Sequence, residues 1–326
     1  MKKFDLISIG DTTYDVFLGL DEETTKVQCD SNGENCLVLM PFADKVSVNT
    51  AIKVPGVGNA ANMAVGASRL GLMAGLYTIL GKDMTGREAL AVFKKEKVAT
   101  DYVEIDKKKD TNFSAVLSYK GERTILVYHE KRNYNLPKIG PAKWVYLTSL
   151  GPGHEVMHGQ IIDYIDKTKA RLIFNPGTHQ FKEGLEVLKP LLQKTFALVV
   201  NKEESEKLVG KNDDIKELLK LTKNTGPEIV VITDGPKGSY AFDGNSFYFQ
   251  DILDTPVFER TGCGDSYSTG FLAASFLGLD VPTAMKWGTV NAAFVIQKTG
   301  AQEGLLTRKQ MEKVIADNPQ METKII

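Results

Sequence analysis

Short apolar runs alternate along this chain with longer stretches of helical periodicity. Phe4 to Ile9, Gly75 to Leu80, Trp144 to Leu150, Arg171 to Asn175, Ala197 to Asn201 and Glu228 to Thr233 read as strands. Strands separated by helical crossovers imply an α/β fold with a mostly parallel sheet, covered by helices on both faces. Ligands of such sheets gather at the carboxyl ends of the strands. Asp11, Asn175, Asn201 and Thr233 all fall at these ends, which places a site there before any motif is considered.

Two stretches break the alternation. Residues 12–55 and roughly 100–131 hold β-prone, turn-punctuated segments, such as Val46 to Val54 and Thr124 to Tyr128, with no helical pattern between them. No internal repeat, low-complexity tract or long linker divides the chain, so 1–326 reads as a single domain.

Composition removes some function classes. A formal net charge of -1 offers no basic excess for nucleic acid or a membrane surface. The Met-Lys-Lys start runs straight into a strand-like segment, and no apolar stretch approaches about 18 residues. Three cysteines, Cys29, Cys36 and Cys263, do not resemble a disulfide framework and fit a reducing compartment. The expectation is a cytoplasmic protein.

The chemistry concentrates in residues 260–271, Arg-Thr-Gly-Cys-Gly-Asp-Ser-Tyr-Ser-Thr-Gly-Phe. Tyr267, Phe271, Ala274 and Leu277 recur at three- and four-residue spacing, so a helix is predicted to start beside Ser266 with a glycine turn at its N-terminus. Backbone N–H groups of Gly262, Cys263 and Gly264 then converge on an anion, reinforced by the helix dipole. A carboxylate in that place suits a general base that takes a proton from an attacking hydroxyl. The competing reading makes Asp265 a helix cap in an ordinary turn.

Thr261-Gly262-Cys263-Gly264-Asp265 and the residues after it resemble the D-T-x-G-A-G-D signature of the ribokinase-like (PfkB) carbohydrate kinases. Glu259 stands for the first Asp, Arg260 for a Thr and Cys263 for an Ala. Further segments follow in the family's order. Gly10 to Asp15 resembles its opening strand and sugar-binding turn, Gly58-Asn59-Ala60-Ala61-Asn62 its G-G-x-x-x-N segment with Val57 for the first glycine, and Gly81 to Gly86 its G-x-D-x-x-G connection. Asn201-Lys202-Glu203-Glu204 is similar to its N-x-x-E motif, and Thr233 to Gly238 to its T-x-G-x-x-G nucleotide loop.

The resemblance implies a three-layer ribokinase-like sandwich whose two irregular stretches form a small β lid, with dimerisation through the lid. A lid has a chemical purpose, because phosphoryl transfer has to exclude water. It implies ATP-dependent phosphorylation of a primary hydroxyl, with Asp265 as base and residues 262–264 as anion hole. Asp15, Gly58, Asn59 and Asn62 would bind the acceptor. Asn201 and Glu204 would position Mg2+ through water, although Glu203 beside it competes for that role. Thr233, Gly235 and Gly238 would line the nucleotide, with Asn291 near its base or ribose. Relatives hold a monovalent cation near the first Asp of the signature, so Glu259 bears on any K+ requirement.

The acceptor stays open among sugars, sugar acids, sugar phosphates and nucleosides, and so does a scaffold that binds without turnover. Lys131 and Arg132 either receive an anionic substituent or are solvated charges, the latter being favoured. Two other motifs compete. His154-Glu155-Val156-Met157-His158 matches the zinc motif H-E-x-x-H, but it follows Gly151-Pro152-Gly153 and the only later histidine, His179, lies beyond the next strand. Gly56-x-Gly58-x-x-Ala61 matches a dinucleotide fingerprint, but the run before it alternates polar and apolar residues, unlike a central parallel strand. No G-x-x-x-x-G-K-[ST] occurs, which excludes a P-loop.

Overall fold

The computed structural model describes residues 3–31 and 36–326. In chain order it forms β1 (Phe4–Ile9), β2 (Thr13–Leu20), β3 (Lys26–Cys29), β4 (Cys36–Leu39), β5 (Val48–Val57), α1 (Asn59–Arg69), β6 (Ala74–Gly81), α2 (Met84–Lys95) and β7 (Ala99–Asp106). Then follow β8 (Asn112–Tyr119), β9 (Glu122–Tyr128), β10 (Ala142–Leu147), α3 (Val156–Thr168), β11 (Arg171–Phe174), α4 (Thr178–Glu183), α5 (Leu185–Leu192) and β12 (Thr195–Asn201). The remainder comprises α6 (Lys202–Val209), α7 (Ile215–Lys223), β13 (Ile229–Thr233), β14 (Ser239–Phe242), β15 (Phe247–Gln250), α8 (Cys263–Phe276), α9 (Val281–Val295), α10 (Arg308–Asp317) and β16 (Lys324–Ile325).

All six strands expected from the apolar runs are present, and they form the middle of a ten-stranded sheet ordered β16-β15-β14-β13-β12-β11-β10-β1-β6-β7. From β13 to β7 every pairing is parallel, because helical crossovers return the chain to the same end; β13 to β16 are antiparallel, and tight turns join β13 to β14 and β14 to β15. The strands are apolar on both sides, as burial on two faces requires. Ile7, Leu172, Phe174 and Leu198 pack with Ile161 of α3, Leu188 and Leu191 of α5 and Leu218 of α7. Leu6, Tyr146, Ile173 and Val199, pointing the other way, pack with Met63 of α1, Phe271 of α8, Met285 and Val290 of α9 and Met311 of α10. Among the described residues no helix is long and apolar enough to cross a membrane.

The irregular stretches form a separate sheet, β5-β2-β8-β9, and the hairpin β3-β4. Two expectations need correction here. The segment from about 100 does not belong wholly to the smaller sheet: β7 follows the α2 crossover and pairs in parallel with β6 at the edge of the large sheet, so the smaller sheet resumes only at Asn112. The cysteines are not all free either. The hairpin register sets Cys29 opposite Cys36, and a disulfide joins them, leaving Cys263 as the free thiol. Cysteine sparseness therefore no longer argues for a reducing compartment. Residues 32–35 of the first stretch lie outside the described residues.

Helices α8 and α9 approach closely because small residues meet at their crossing. A Cβ on Gly270 would lie 2.3 Å from the Trp287 carbonyl oxygen, and one on Gly288 would lie 2.9 Å from that of Tyr267. The obstruction is backbone, which cannot swing aside. Gly270→Ala is thus expected to destabilise the chain by about 1–3 kcal/mol through overpacking, despite alanine's better helix propensity. Urea unfolding checks this, and an unchanged or raised midpoint would show that the two helices can part without cost.

Candidate active site

In the large sheet, β6 and β7 lie on one side of β1, and β10 to β13 extend from the other. Chain progression reverses between β1 and β10, and at such a switch point the connections leaving the two strands diverge and open a crevice beyond their carboxyl ends. A cavity of about 920 Å³ occupies it, walled on the far side by β9 of the smaller sheet.

Asp265 sits in the first turn of α8, at the inner end of this cavity. The helix starts earlier than expected, at Cys263, because Gly262 adopts φ 76° and its carbonyl accepts the Ser266 N–H at 2.9 Å. Only glycine fits at 262, where an added Cβ would lie 2.2 Å from that of Ala301. The first N–H groups of a helix have no intrahelical acceptor, so those of Gly262, Gly264 and Asp265 are available to an anion. Cys263 contributes less than expected, since its N–H turns back to the Arg260 carbonyl at 3.3 Å. Burial pushes its thiol pKa up, away from the thiolate form.

The capping alternative for Asp265 does not hold: α8 has no side-chain cap, and the carboxylate instead accepts from Asn62 Nδ2 at 2.7 Å. Burial raises its pKa to about 6, with the Asn62 hydrogen bond opposing and the charge of Glu204 adding to the shift. Asn62 was expected to hold acceptor hydroxyls, yet one of its N–H groups is committed to the Asp265 carboxylate. Its orientation comes from Gln302, whose Nε2 donates to Asn62 Oδ1 at 3.0 Å and to the Gly56 carbonyl at 2.8 Å. Nothing in the sequence marks Gln302, which is brought to Asn62 by tertiary packing alone.

Asp15 of β2 lines the cavity and is buried. Burial raises its pKa to about 6 against hydrogen bonds from Ser114 and Thr13, and its Oδ1 has no partner. An unpaired buried carboxylate oxygen facing a cavity is suited to accept from a ligand hydroxyl. Asp11, which follows β1, is fully engaged: Tyr134 Oη donates to it at 2.8 Å, the Gly151 N–H at 2.8 Å, and His129 Nδ1 lies 3.4 Å away. Gly58 precedes α1 with φ 107°, and a Cβ there would meet the Asp11 carbonyl at 2.7 Å. Asn59 lines the cavity, and its Nδ2 lies 3.4 Å from Asn175 Oδ1.

At the other end, Asn201 and Glu204 form a reciprocal capping box on α6. Asn201 Oδ1 accepts the Glu204 N–H at 2.8 Å, and Glu204 Oε2 accepts the Asn201 N–H at 2.9 Å. Both also line the cavity, whereas Glu203 does not, and burial raises the Glu204 carboxyl. Thr233, Gly235 and Gly238 border the cavity together with Ser239, and Leu253, Ala292 and Ile296 add an apolar wall. Asn291 does not take part. It is buried in α9, where its amide donates to the Ser266 carbonyl at 2.8 Å and accepts the Leu306 N–H at 3.2 Å, so it pins α8 to the segment before α10.

Other sequence features resolve differently from expectation. Arg132 is no solvated charge: it is buried, bonded to Asp106 Oδ2 at 3.1 Å and to the Asp110 carbonyl, and neither it nor Lys131 reaches the cavity. The strand before it does, with Arg123, Ile125, Val127 and His129 facing inward at alternate positions. In the segment Gly81 to Gly86, Asp83 caps α2 through the Gly86 N–H and receives the Thr111 N–H and hydroxyl, each within 2.8 Å. Gly81 and Gly86 serve that turn, outside the cavity. Gly56, Gly58 and Ala61 join a strand of the smaller sheet to α1, so they are no dinucleotide turn of a parallel βαβ unit.

An uncharacterized sugar kinase of Archaeoglobus fulgidus is 29% identical, covering 74% of this chain and 98% of its own. The 5-dehydro-2-deoxygluconokinase of Bacillus subtilis is 26% identical, covering 79% of this chain and 86% of its own. The structure of Arabidopsis thaliana ribokinase complexed with ribose and ATP superposes with a TM-score of 0.76 over 96% of this chain and 99% of that one, at 19% identity, and shares the fold. The sequence model described as pfkB family carbohydrate kinase matches residues 24–308. That match spans both sheets and the turn at Asp265, and the chain accordingly belongs to the pfkB family of carbohydrate kinases.

Proposed function

We propose that this kinase transfers the γ-phosphoryl of ATP to a primary hydroxyl of a sugar or sugar acid, with Asp265 as general base. The observation that carries the reading is a buried carboxylate, raised to about 6 and oriented by Asn62, at the open N-terminus of α8 in a ligand-sized cavity. The acceptor lies against Asp15 and Asn59, with Gly58 allowing close approach. As its oxygen attacks phosphorus, its proton passes to Asp265, the bond between the γ-phosphorus and the β,γ-bridging oxygen breaks, and ADP leaves. The N–H groups opening α8 stabilise charge on the transferring phosphoryl group without reorganising.

The nucleotide extends past Thr233, Gly235 and Gly238 toward the apolar wall at Ala292 and Ile296. Glu204, with one oxygen uncommitted, is the residue that would hold Mg2+ through water, and the ion would neutralise charge between the β- and γ-phosphates. Glu259 is differently placed. Its oxygens accept the Thr261 N–H at 2.6 Å and the Gly300 N–H at 3.2 Å, with Arg123 at 3.8 Å, which argues against a K+ site on that carboxylate.

Arg123 of β9 and His129 just after that strand, both lining the cavity, favour an acceptor with an anionic group. Relatives named for a deoxygluconate substrate agree with a sugar acid. The smaller sheet acts as the lid that excludes water. Its outer face exposes Phe113, Leu126 and Tyr128, which supports pairing of two lids in a homodimer. The reading retains an intracellular small-molecule kinase with no nucleic-acid partner.

ADP release from Mg-ATP, measured with pentoses, hexoses, sugar phosphates, sugar acids and nucleosides, tests the proposal. Acceptor-dependent turnover is expected, highest with a sugar acid and lowered about 100- to 10,000-fold by Asp265→Ala. ATP binding with no turnover on any acceptor would favour a scaffold that only binds.

The base acts ionised, so kcat/KM should fall as pH drops through about 6, Asp15 steepening the loss, and level off above 7. A profile flat from pH 5 to 8 would remove Asp265 from that role.

Stability carries the opposite sign. The folded chain holds the Asp265 proton up to about 6, the unfolded chain only to 3.8, so ionisation at neutral pH opposes folding. Asp265→Asn is expected to stabilise the protein at pH 8 by up to about 3 kcal/mol and to leave it unchanged near pH 3.5. Equal unfolding midpoints at pH 8 would contradict the stored charge penalty.

A further inference from the structure

His154 and His158 lie at the start of α3, and Glu183 ends α4 against them. His154 Nδ1 is 2.9 Å from the Gly151 carbonyl, which can only accept, so this nitrogen donates and Nε2 is left for another partner. Nε2 lies 3.1 Å from Glu183 Oε1 without hydrogen-bond geometry between them. The rings of His154 and His158 are 5.1 Å apart, and one ligand atom from each of the three residues falls within 4.8 Å of the others. His154 is 1% and His158 8% exposed, yet Nε2 of each lacks a hydrogen-bond partner, and beyond His154 the Glu183 carboxyl has beside it the carboxyl of Glu155. Converging lone pairs in a buried place repel unless a proton or a cation lies among them.

We propose that His154, His158 and Glu183 bind a divalent first-row transition metal, preferentially Zn2+, which fastens the start of α3 to the end of α4. Two imidazoles and a carboxylate are a donor set for such ions and a poor one for Mg2+. The Nδ1–H bond to a backbone carbonyl is the outer support that fixes a ligating histidine. Sequence reasoning noticed the two histidines but looked to His179 for a third ligand. Glu183, one turn further along the same helix, completes the set. The cluster is not a hydrolase centre: none of its residues lines the cavity, and Glu155 turns to the Glu183 carboxyl. Its link to the kinase site runs through Gly151, whose carbonyl holds His154 and whose N–H holds Asp11 at 2.8 Å.

The full chain, stripped with a chelator, should be titrated with Zn2+, Co2+ and Mg2+ under calorimetry, visible absorption and thermal denaturation. The expected result is saturable uptake of a single Zn2+ with a raised melting temperature, a visible Co2+ d–d band, and neither effect from Mg2+. His158→Gln and Glu183→Gln should abolish the band and the thermal shift, while Glu155→Gln retains both. No Zn2+ uptake by the wild type would overturn the site whatever the variants do. Uptake unchanged in both ligand variants would overturn the assignment of these residues.

Discussion

The hydrogen bond from Asn62 to Asp265 joins α1 to α8, and the rest of the site is arranged around it. A buried carboxylate without a donor would stay protonated at neutral pH and could not accept a second proton; one with several strong donors would be too weak a base to take one. A single amide donor lies between these limits. The amide must also present nitrogen rather than oxygen to Asp265, and Gln302 enforces that by donating to Asn62 Oδ1. Gln302 is in turn held by the Gly56 carbonyl, so the orientation of Asn62 toward Asp265 depends on neutral amide hydrogen bonds rather than on an ion pair.

Three buried carboxylates surround the cavity, and their differing partners separate their tasks. Asp11 receives a tyrosine hydroxyl and a backbone N–H and serves as a fixed anionic wall. Asp15 keeps one oxygen unpaired and can receive from a ligand. Asp265 receives one amide and sits beside a helix N-terminus. Three carboxylic acids of the same intrinsic strength thus acquire three roles from local donors alone.

Much of this was legible in the sequence because it rests on local rules. Apolar runs marked the central strands, and the glycines around Cys263 marked a helix-opening turn whose φ at Gly262 demands glycine. What sequence could not show depends on pairing across long separations. The segment from about 100 reads as β-prone either way, and only its pairing with β6 assigns β7 to the large sheet. Asn291 sits on a helix with no strong polar face, so periodicity could not say that its amide bonds to Ser266 and Leu306. The Cys29–Cys36 pair follows from hairpin register, which sparse cysteine counting ignores. Alternation along Arg123, Ile125, Val127 and His129 was a usable signal for a cavity-facing strand.

The smaller sheet contacts the loop that leads into the glycine turn before Asp265. Arg123 on β9 lies against Glu259, and Glu122 lies 4.0 Å from Arg260, so the edge of that sheet touches the segment leading into Gly262. Glu259 binds the Thr261 and Gly300 N–H groups, and Gly262 packs on Ala301. From there the next residue is Gln302, which orients Asn62 and through it the base. The ion pairs in this ring are partly exposed and individually weak, whereas the backbone hydrogen bonds and the glycine contact are buried and leave little slack. Displacement of β9 would therefore act on the turn less by losing Coulombic attraction than by releasing Glu259 from its two N–H groups. The geometry of the base and the position of the covering sheet are in this way parts of a single constraint.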